Sequence, residues 1–202
     1  MGKDHPHEFA ADDITVDEMY KLMIGSVVPR PIAWVSTRSV EGVLNLAPFS
    51  FFTIASRNPP TLLLSIGPGV DERQGTIKDT LVNIRETGEY VINVVPAALA
   101  ASMQRSSAHV PSEVNEFELA AVTPLPGICV RVPSVKESPI AFELTLDRII
   151  PVGTDHVILG KVEHVRVNAE AYAGSYKIAL DSWQPLASLA GDYAMITPAF
   201  SV

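Results

Sequence analysis

Two short stretches carry side chains that core packing alone would not request: Pro29-Arg30-Pro31-Ile32-Ala33-Trp34-Val35-Ser36-Thr37 and Asn45-Leu46-Ala47-Pro48-Phe49-Ser50-Phe51-Phe52. In the first, β-formers surround Trp34, and two prolines stand at its entrance, where a missing ladder donor is tolerated. The second mixes an amide, a hydroxyl and three aromatic rings. Together they suit a wall for a planar heterocycle with hydrogen-bonding edges and one apolar face.

A third segment, Thr76-Ile77-Lys78-Asp79-Thr80, opens a helical pattern. Unpaired first-turn amides, the positive helix end, an ammonium and two hydroxyls could converge there on one anion, and a phosphate monoester would fit. The same residues also describe an ordinary helix start, with Thr76 as cap, Asp79 completing a capping box and Lys78 in water. Arg30, held between prolines, could present its fork to a carbonyl or phosphate, or else form a surface ion pair worth ~0 to 1 kcal/mol. Trp34 reads as core or as a pocket rim, its indole N–H needing a partner if buried. Phe51 and Phe52 in succession point to opposite faces of a strand, so one of them faces a ligand, a subunit or solvent. At Asp155-His156 an acid beside an imidazole could tune its charge near neutral pH, although an Asp in a hairpin is commonly a turn former.

Several chemistries are excluded by absence. No GxGxxG follows a strand, and Gly67-Pro68-Gly69 leads into Val70-Asp71-Glu72 instead of a phosphate loop. Ser65 has Leu63 where a nucleophile elbow needs glycine. His5 and His7 read as a solvated tail, and His109 and His164 as structural or surface residues.

The elements that must hold these residues are mostly strands. Thr15 and Glu18 form a capping box ahead of a short helix over 15–24 with Val16, Met19, Tyr20 and Met23 at helical spacing. Strand candidates follow near 31–38, 43–47, 49–55 and 61–67, broken by Glu41-Gly42 and Asn58-Pro59-Pro60, which suggests an antiparallel meander or barrel. A helix over 77–87 ends at Gly88, a strand covers 90–95, and a small Ala-rich helix begins at Pro96. Residues 106–139 form a long Ser- and Pro-rich excursion of the kind that is often functional or packed on a partner. Two long strands, 140–150 and 156–167, flank a hairpin loop. The last stretch lacks periodicity but carries Tyr172, Tyr176, Trp183, Tyr193 and Phe200.

With 202 residues, 47% of them hydrophobic, the chain can bury a sizeable core as one domain, with a flexible N-terminal tail (about 1–14) and a C-terminal arm (about 170–202). A net charge of −8 argues against nucleic acid or an anionic membrane as main partner. Cys129 is the single cysteine, so no internal disulfide exists and no thiolate metal site is expected. No signal peptide or spanning run is evident, and cytoplasm is the default.

Taken in order, the Pro-Arg-Pro strand, Asn45 to Phe52, Asn58-Pro59-Pro60, the Lys78-Asp79-Thr80 helix start and the Tyr90 to Val95 strand resemble the flavin reductase-like family, flavoredoxin branch, over roughly 15–170. The resemblance implies a mainly β fold with flanking helices, an antiparallel FMN-binding split β-barrel, and a homodimer. It places Arg30, Trp34, Asn45, Ala47, Pro48, Ser50, Phe51 and Phe52 around the flavin ring or ribityl chain, and Lys78, Asp79 and Thr80 near the phosphate. Many relatives that use NADH carry Gly-Asp-His at the hairpin. Gly153-Thr154-Asp155-His156 is one residue looser, and marks His156 as a candidate nicotinamide contact. Leu189-Ala190-Gly191-Asp192-Tyr193 resembles the family's tail, which can lie close to the flavin. The activity implied is reduction of FMN by NADH or NADPH, serving a partner oxygenase or other electron acceptor. Two alternatives stand beside it: an FMN-holding electron-transfer protein that reduces no free flavin, and a non-flavin barrel whose aromatic residues pack a dimer.

Overall fold

The computed structural model describes residues 6–69 and 75–196; Phe200 and His5 lie outside them. After the Thr15 cap, α1 (Val16–Ser26) runs two residues further than the periodicity predicts. Its capping box is formed, with the Glu18 amide donating to Thr15 Oγ1 (3.3 Å) and the Thr15 amide to Glu18 Oε2 (2.8 Å). No residue of α1 is buried, and Val16 is 88% exposed.

The strands are β1 (Arg30–Pro31), β2 (Ala33–Arg38), β3 (Leu44–Phe49), β4 (Phe52–Arg57), β5 (Pro60–Ile66), β6 (Glu89–Val94), β7 (Pro124–Leu125), β8 (Ser134–Val135), β9 (Ile140–Val152), β10 (Asp155–Val167), β11 (Tyr172–Gly174), β12 (Lys177–Ile178), β13 (Leu186–Ser188) and β14 (Tyr193–Met195). Seven form one antiparallel sheet in the order β3-β2-β6-β9-β10-β5-β4. Its end strands β3 and β4 are joined by Ser50-Phe51 and do not pair with each other, which makes this a split barrel. In β2 the period-2 alternation divides the molecule. Ala33 and Val35 face the barrel interior with Leu64, Tyr90, Ile92, Leu144 and Ile158, while Trp34 joins an outer cluster with Leu46, Met103, Phe117 and Val135.

The helix α2 (Asp79–Thr87) plugs the barrel with Leu81 and Ile84 and ends at Gly88, whose φ of 69° is the left-handed cap glycine tolerates best. Its start differs from the capping-box reading of the sequence. Lys78, not Thr76, is the N-cap and makes no side-chain cap bond, and the Thr76 carbonyl accepts from the Gly69 amide in the preceding loop (2.9 Å). The Ala-rich segment is a 3-10 turn over Ala97–Leu99 leading into α3 (Ala100–Arg105).

The excursion 106–139 is less irregular than its composition predicts. It contains α4 (Glu116–Ala120), β7 and β8, and it places Phe117, Val122 and Val135 in the outer core. Glu143 on β9 ties down its middle, accepting from the amides of Ile128 (3.0 Å), Cys129 (2.6 Å) and Val130 (3.1 Å). Burial alone would raise that carboxyl's pKa, but the three amides, aided by His164, hold it below the ordinary carboxylate value. His164 Nδ1 lies 3.2 Å from Glu143 Oε1, near enough for attraction but not aligned as a hydrogen bond.

Inside the barrel, Tyr90 is fully buried and its hydroxyl has no hydrogen-bond partner. Burial pushes its pKa up. A Cβ built at Gly160 of β10 would fall on that hydroxyl and 2.6 Å from the ring carbon Cζ, so glycine is what lets the phenol fit. The strands β9 and β10 extend to within two residues of each other, a tighter hairpin than the expected loop. The C-terminal arm adds β13 between β1 and β14, in strands too short to show periodicity.

Candidate functional site

The end strand β3 is the floor of a trough. Trp34 pairs with Pro48, Val35 with Ala47 and Thr37 with Asn45, so one edge of β3 is committed to β2. On the other edge the Leu46 amide donates to Glu116 Oε2 (2.6 Å). Amides two residues apart point the same way in a strand, so Pro48 falls where its missing N–H breaks no ladder bond.

Along that edge lie two adjoining compartments that share Pro48 and Phe49. The first, about 120 Å³, runs from Asn45 and Ala47 to Gly69 and the α2 start at Lys78, Asp79 and Thr80, with Ser106 to Val110 and Glu116 as its opposite wall. The second, about 110 Å³, is bounded by Ile32, Ser50, Met103, Ser188 and Tyr193. Both open outward, and together they make one elongated groove that runs from the α2 start to the C-terminal arm. At the α2 end the Lys78 ammonium sits 5.4 Å from the Phe49 ring centroid, beside the positive end of the helix. This positive end suits the phosphate of a mononucleotide, and the second compartment, where Phe49 and Tyr193 stand beside the hydroxyls of Ser50 and Ser188, suits a planar ring with hydrogen-bonding edges.

The predicted residues divide into those that line the groove and those that hold it. Ala47, Pro48, Ser50, Lys78, Asp79 and Thr80 line it, as does the edge of Asn45. The Asn45 amide is itself committed: Oδ1 accepts from the hydroxyls of Thr37 (3.0 Å) and Thr80 (2.9 Å), and Nδ2 donates to Glu116 Oε2. Asn83 Nδ2 in turn donates to Thr37 Oγ1 (3.0 Å). This buried chain locks the α2 start to β2, β3 and α4.

Arg30 is a clamp. Its guanidinium donates to the carbonyls of Ile24 (2.6 Å), Val27 (2.8 Å) and Leu189 (2.7 Å) and to Ser50 Oγ (3.3 Å), joining α1, the β3–β4 corner and the C-terminal arm. Trp34 is fully buried behind the groove, its indole donating to Ser106 Oγ (2.8 Å), so it braces the opposite wall from within the outer core. Phe51 is 36% exposed beside Tyr20 of α1, and Phe52 lines a separate apolar cavity of about 240 Å³ with Pro31 and Trp183. His156, the second residue of β10, pairs with Ile66 on one side and Pro151 on the other and does not line the groove.

Glu116, Ser107, His109, Gln104 and Tyr193 stand at the groove or its lip, yet sequence reasoning assigned them no site role or, for Tyr193, only a tail resemblance. Glu116 follows Asn115, which caps α4 through the Phe117 amide (3.1 Å); an acid beside a cap reads as helix electrostatics and conceals its structural contact. Desolvation pushes the Tyr193 phenol up from its ordinary pKa. A larger cavity, about 390 Å³, opens at Arg38, Glu86, Glu89 and Arg131; it mixes both charges, with Arg131 paired to Glu89 (3.3 Å). Among the described residues no group of three His, Cys, Asp or Glu could hold a metal, and no helix is long and apolar enough to cross a membrane.

The class of fold is a split barrel with a trough along an end strand and a helix start at one end of it. The family model described as a flavin reductase like domain matches residues 24–194, and the chain belongs to that family. A protein of Aquifex aeolicus described only as uncharacterized is 38% identical over 186 residues, covering 92% of this chain and 93% of that one. Nitrilotriacetate monooxygenase component B from Bacillus cereus superposes with a TM-score of 0.93 at 32% identity, covering 99% of this chain and all of that one. The 2-nitrobenzoate 2-nitroreductase NbaA of Pseudomonas fluorescens reaches 0.87 at 28% identity, covering 97% and 95%. The flavin-related oxidoreductase character follows from the family.

Proposed function

We propose that the chain is an NAD(P)H-dependent flavin reductase that holds FMN in the β3 groove and delivers reduced flavin to a partner oxygenase. The observation that carries this is the junction of the Lys78–Thr80 helix start with the apolar floor Ala47-Pro48-Phe49: an anion end and a ring end in one trough. FMN, when bound, supplies the redox chemistry, accepting a hydride and passing electrons on. The chain's part is to bind and orient. Lys78 and the first-turn amides hold the phosphate, the Asn45 chain keeps that helix start in register, and Ser50, fixed by Arg30, offers a hydroxyl at the ring end. The outward opening of the trough leaves one side for a transient NADH or NADPH, and His156 remains a candidate contact for its nicotinamide. The name of the B. cereus neighbour supports an oxygenase partner.

We read the active form as a cytoplasmic homodimer of single-domain protomers. Support comes from the apolar face of α1, where Val16, Tyr20 and Met23 are all exposed, and from end strand β4 with Ile54 72% exposed.

Replacing Lys78 with Ala is expected to weaken FMN by about tenfold while leaving riboflavin nearly unchanged, because only FMN presents the anion; titration of flavin fluorescence reads both. Equal loss for the two ligands contradicts the assignment. An electron-transfer protein that keeps its flavin is the second reading, favoured by the arm residue Tyr193 closing the ring end. NADH or NADPH oxidation with and without added FMN separates the two, since a carrier shows no turnover that depends on free flavin.

A further inference from the structure

The C-terminal arm is fixed at its base by Arg30, and its tip reaches α3 through a side-chain hydrogen bond. At the base, Arg30 donates to the Leu189 carbonyl (2.7 Å) and approaches Ser188 Oγ (3.4 Å). At the tip, Tyr193 pairs with Ser188 across the β13–β14 hairpin, lines the ring end of the groove, and donates its hydroxyl to Gln104 Oε1 on α3 (2.7 Å). Gln104 continues the row, its Nε2 donating to Ser107 Oγ (3.1 Å), and Ser107 lines the anion end. The row Tyr193–Gln104–Ser107 therefore spans the lip of both compartments, from residues 89 apart in sequence at its first link. That link is exposed, and exposed hydrogen bonds are the ones water can replace at small cost.

Resting on the flavin reading above, we propose that Tyr193 is a flavin-contacting residue that bars the mouth of the groove, that Gln104 is the positioning residue that holds it there, and that breaking this one hydrogen bond is the flavin-release step. The arrangement assigns each part a different chemistry. The phenol presents an aromatic face to a planar heterocycle and its hydroxyl to the protein, so retention depends on both, while Gln104 acts only through the acceptor it offers. Arg30 keeps the base of the arm in place when the tip lets go.

The test uses the full chain loaded with FMN, with dissociation followed by the recovery of flavin fluorescence on dilution. Tyr193→Ala is expected to speed release about tenfold or more, having lost both ring contact and hydrogen bond. Tyr193→Phe and Gln104→Ala should each speed it about threefold to fivefold, with no further gain when combined, and Gln104→Glu, which keeps the acceptor, should stay near the parent rate. Emission of the bound flavin supplies a signature that a merely structural role would not move: a phenol against the ring quenches it, so emission rises in Tyr193→Phe and Tyr193→Ala but not in Gln104→Glu. Parent-like release and emission in both Tyr193 variants, with FMN still bound, overturn the bar and leave the flavin reading standing. Failure of the unmodified chain to bind FMN at all overturns that reading, and the bar with it.

Discussion

The groove wall and the barrel interior treat buried polar atoms in opposite ways. Along β3 every polar group of Asn45 is answered, by Thr37, Thr80 and Glu116, and the carboxylate of Glu143 beneath the 128–130 turn accepts three amides. On the other side of the same sheet the Tyr90 hydroxyl is answered by nothing and is accommodated by the absence of a side chain at Gly160. Specificity of position is what the first region gains, since each link fixes an element that shapes the groove. The second region only has to be filled, and there a satisfied hydroxyl is dispensable.

Substitutions can break or sharpen this contrast. The largest effect is expected for Gly160→Ala, whose new methyl group collides with a phenol that has no room to retreat; a loss of about 3 kcal/mol or more, read by denaturant unfolding, would follow. Next comes Asn45→Leu, which strips two hydroxyls of their acceptor and Glu116 of a donor. About 3 kcal/mol of stability should go with it, along with weaker FMN binding, because the α2 start loses its anchor. Glu143→Gln should cost about 2 kcal/mol at neutral pH. The folded-state pKa of Glu143 is depressed, so its stabilisation is fully present above the ordinary carboxylate value and is lost as pH falls through the folded value. The gap between parent and variant in a pH series of melts should therefore close in acid, and a gap independent of pH would refute the charged role. Smallest, and opposite in sign, is Tyr90→Phe: removing an unanswered hydroxyl should leave stability equal or raise it by about 1 kcal/mol, and a clear loss would reveal a hidden partner.

Most of the architecture was readable from local pattern. The Thr15–Glu18 box, the Gly88 cap, the strand meander and the long hairpin all follow from residues near one another in sequence, and each is found within a few positions. Lys78 was marked by the helix-start pattern and Ser50 by a hydroxyl in an apolar run, whereas Ala47 and Pro48 came with the family resemblance; all four line the groove. What was not legible is partnership across distance. Arg30 offers a fork that could meet any carbonyl or phosphate, and only the fold shows it clasping Ile24, Val27 and Leu189. Trp34 could have been rim or core, and its link to Ser106 settles that it is core, 72 residues away in sequence. Glu116 and Gln104 carry no pattern at all, since their work is done by contacts with remote elements, Glu116 with Asn45 and Leu46 and Gln104 with Tyr193.

The bare outer margin of β3 has a meaning beyond flavin. An unpaired strand at the end of a sheet is a template on which another polypeptide can polymerise, and proteins blunt such margins with proline or with acids. Here Pro48 has no hydrogen to offer an incoming strand and Glu116 already occupies the Leu46 amide, so the margin is closed to a neighbouring chain while staying open to a small guest. The feature that makes room for a ligand is thus also one that keeps these molecules from sticking edge to edge.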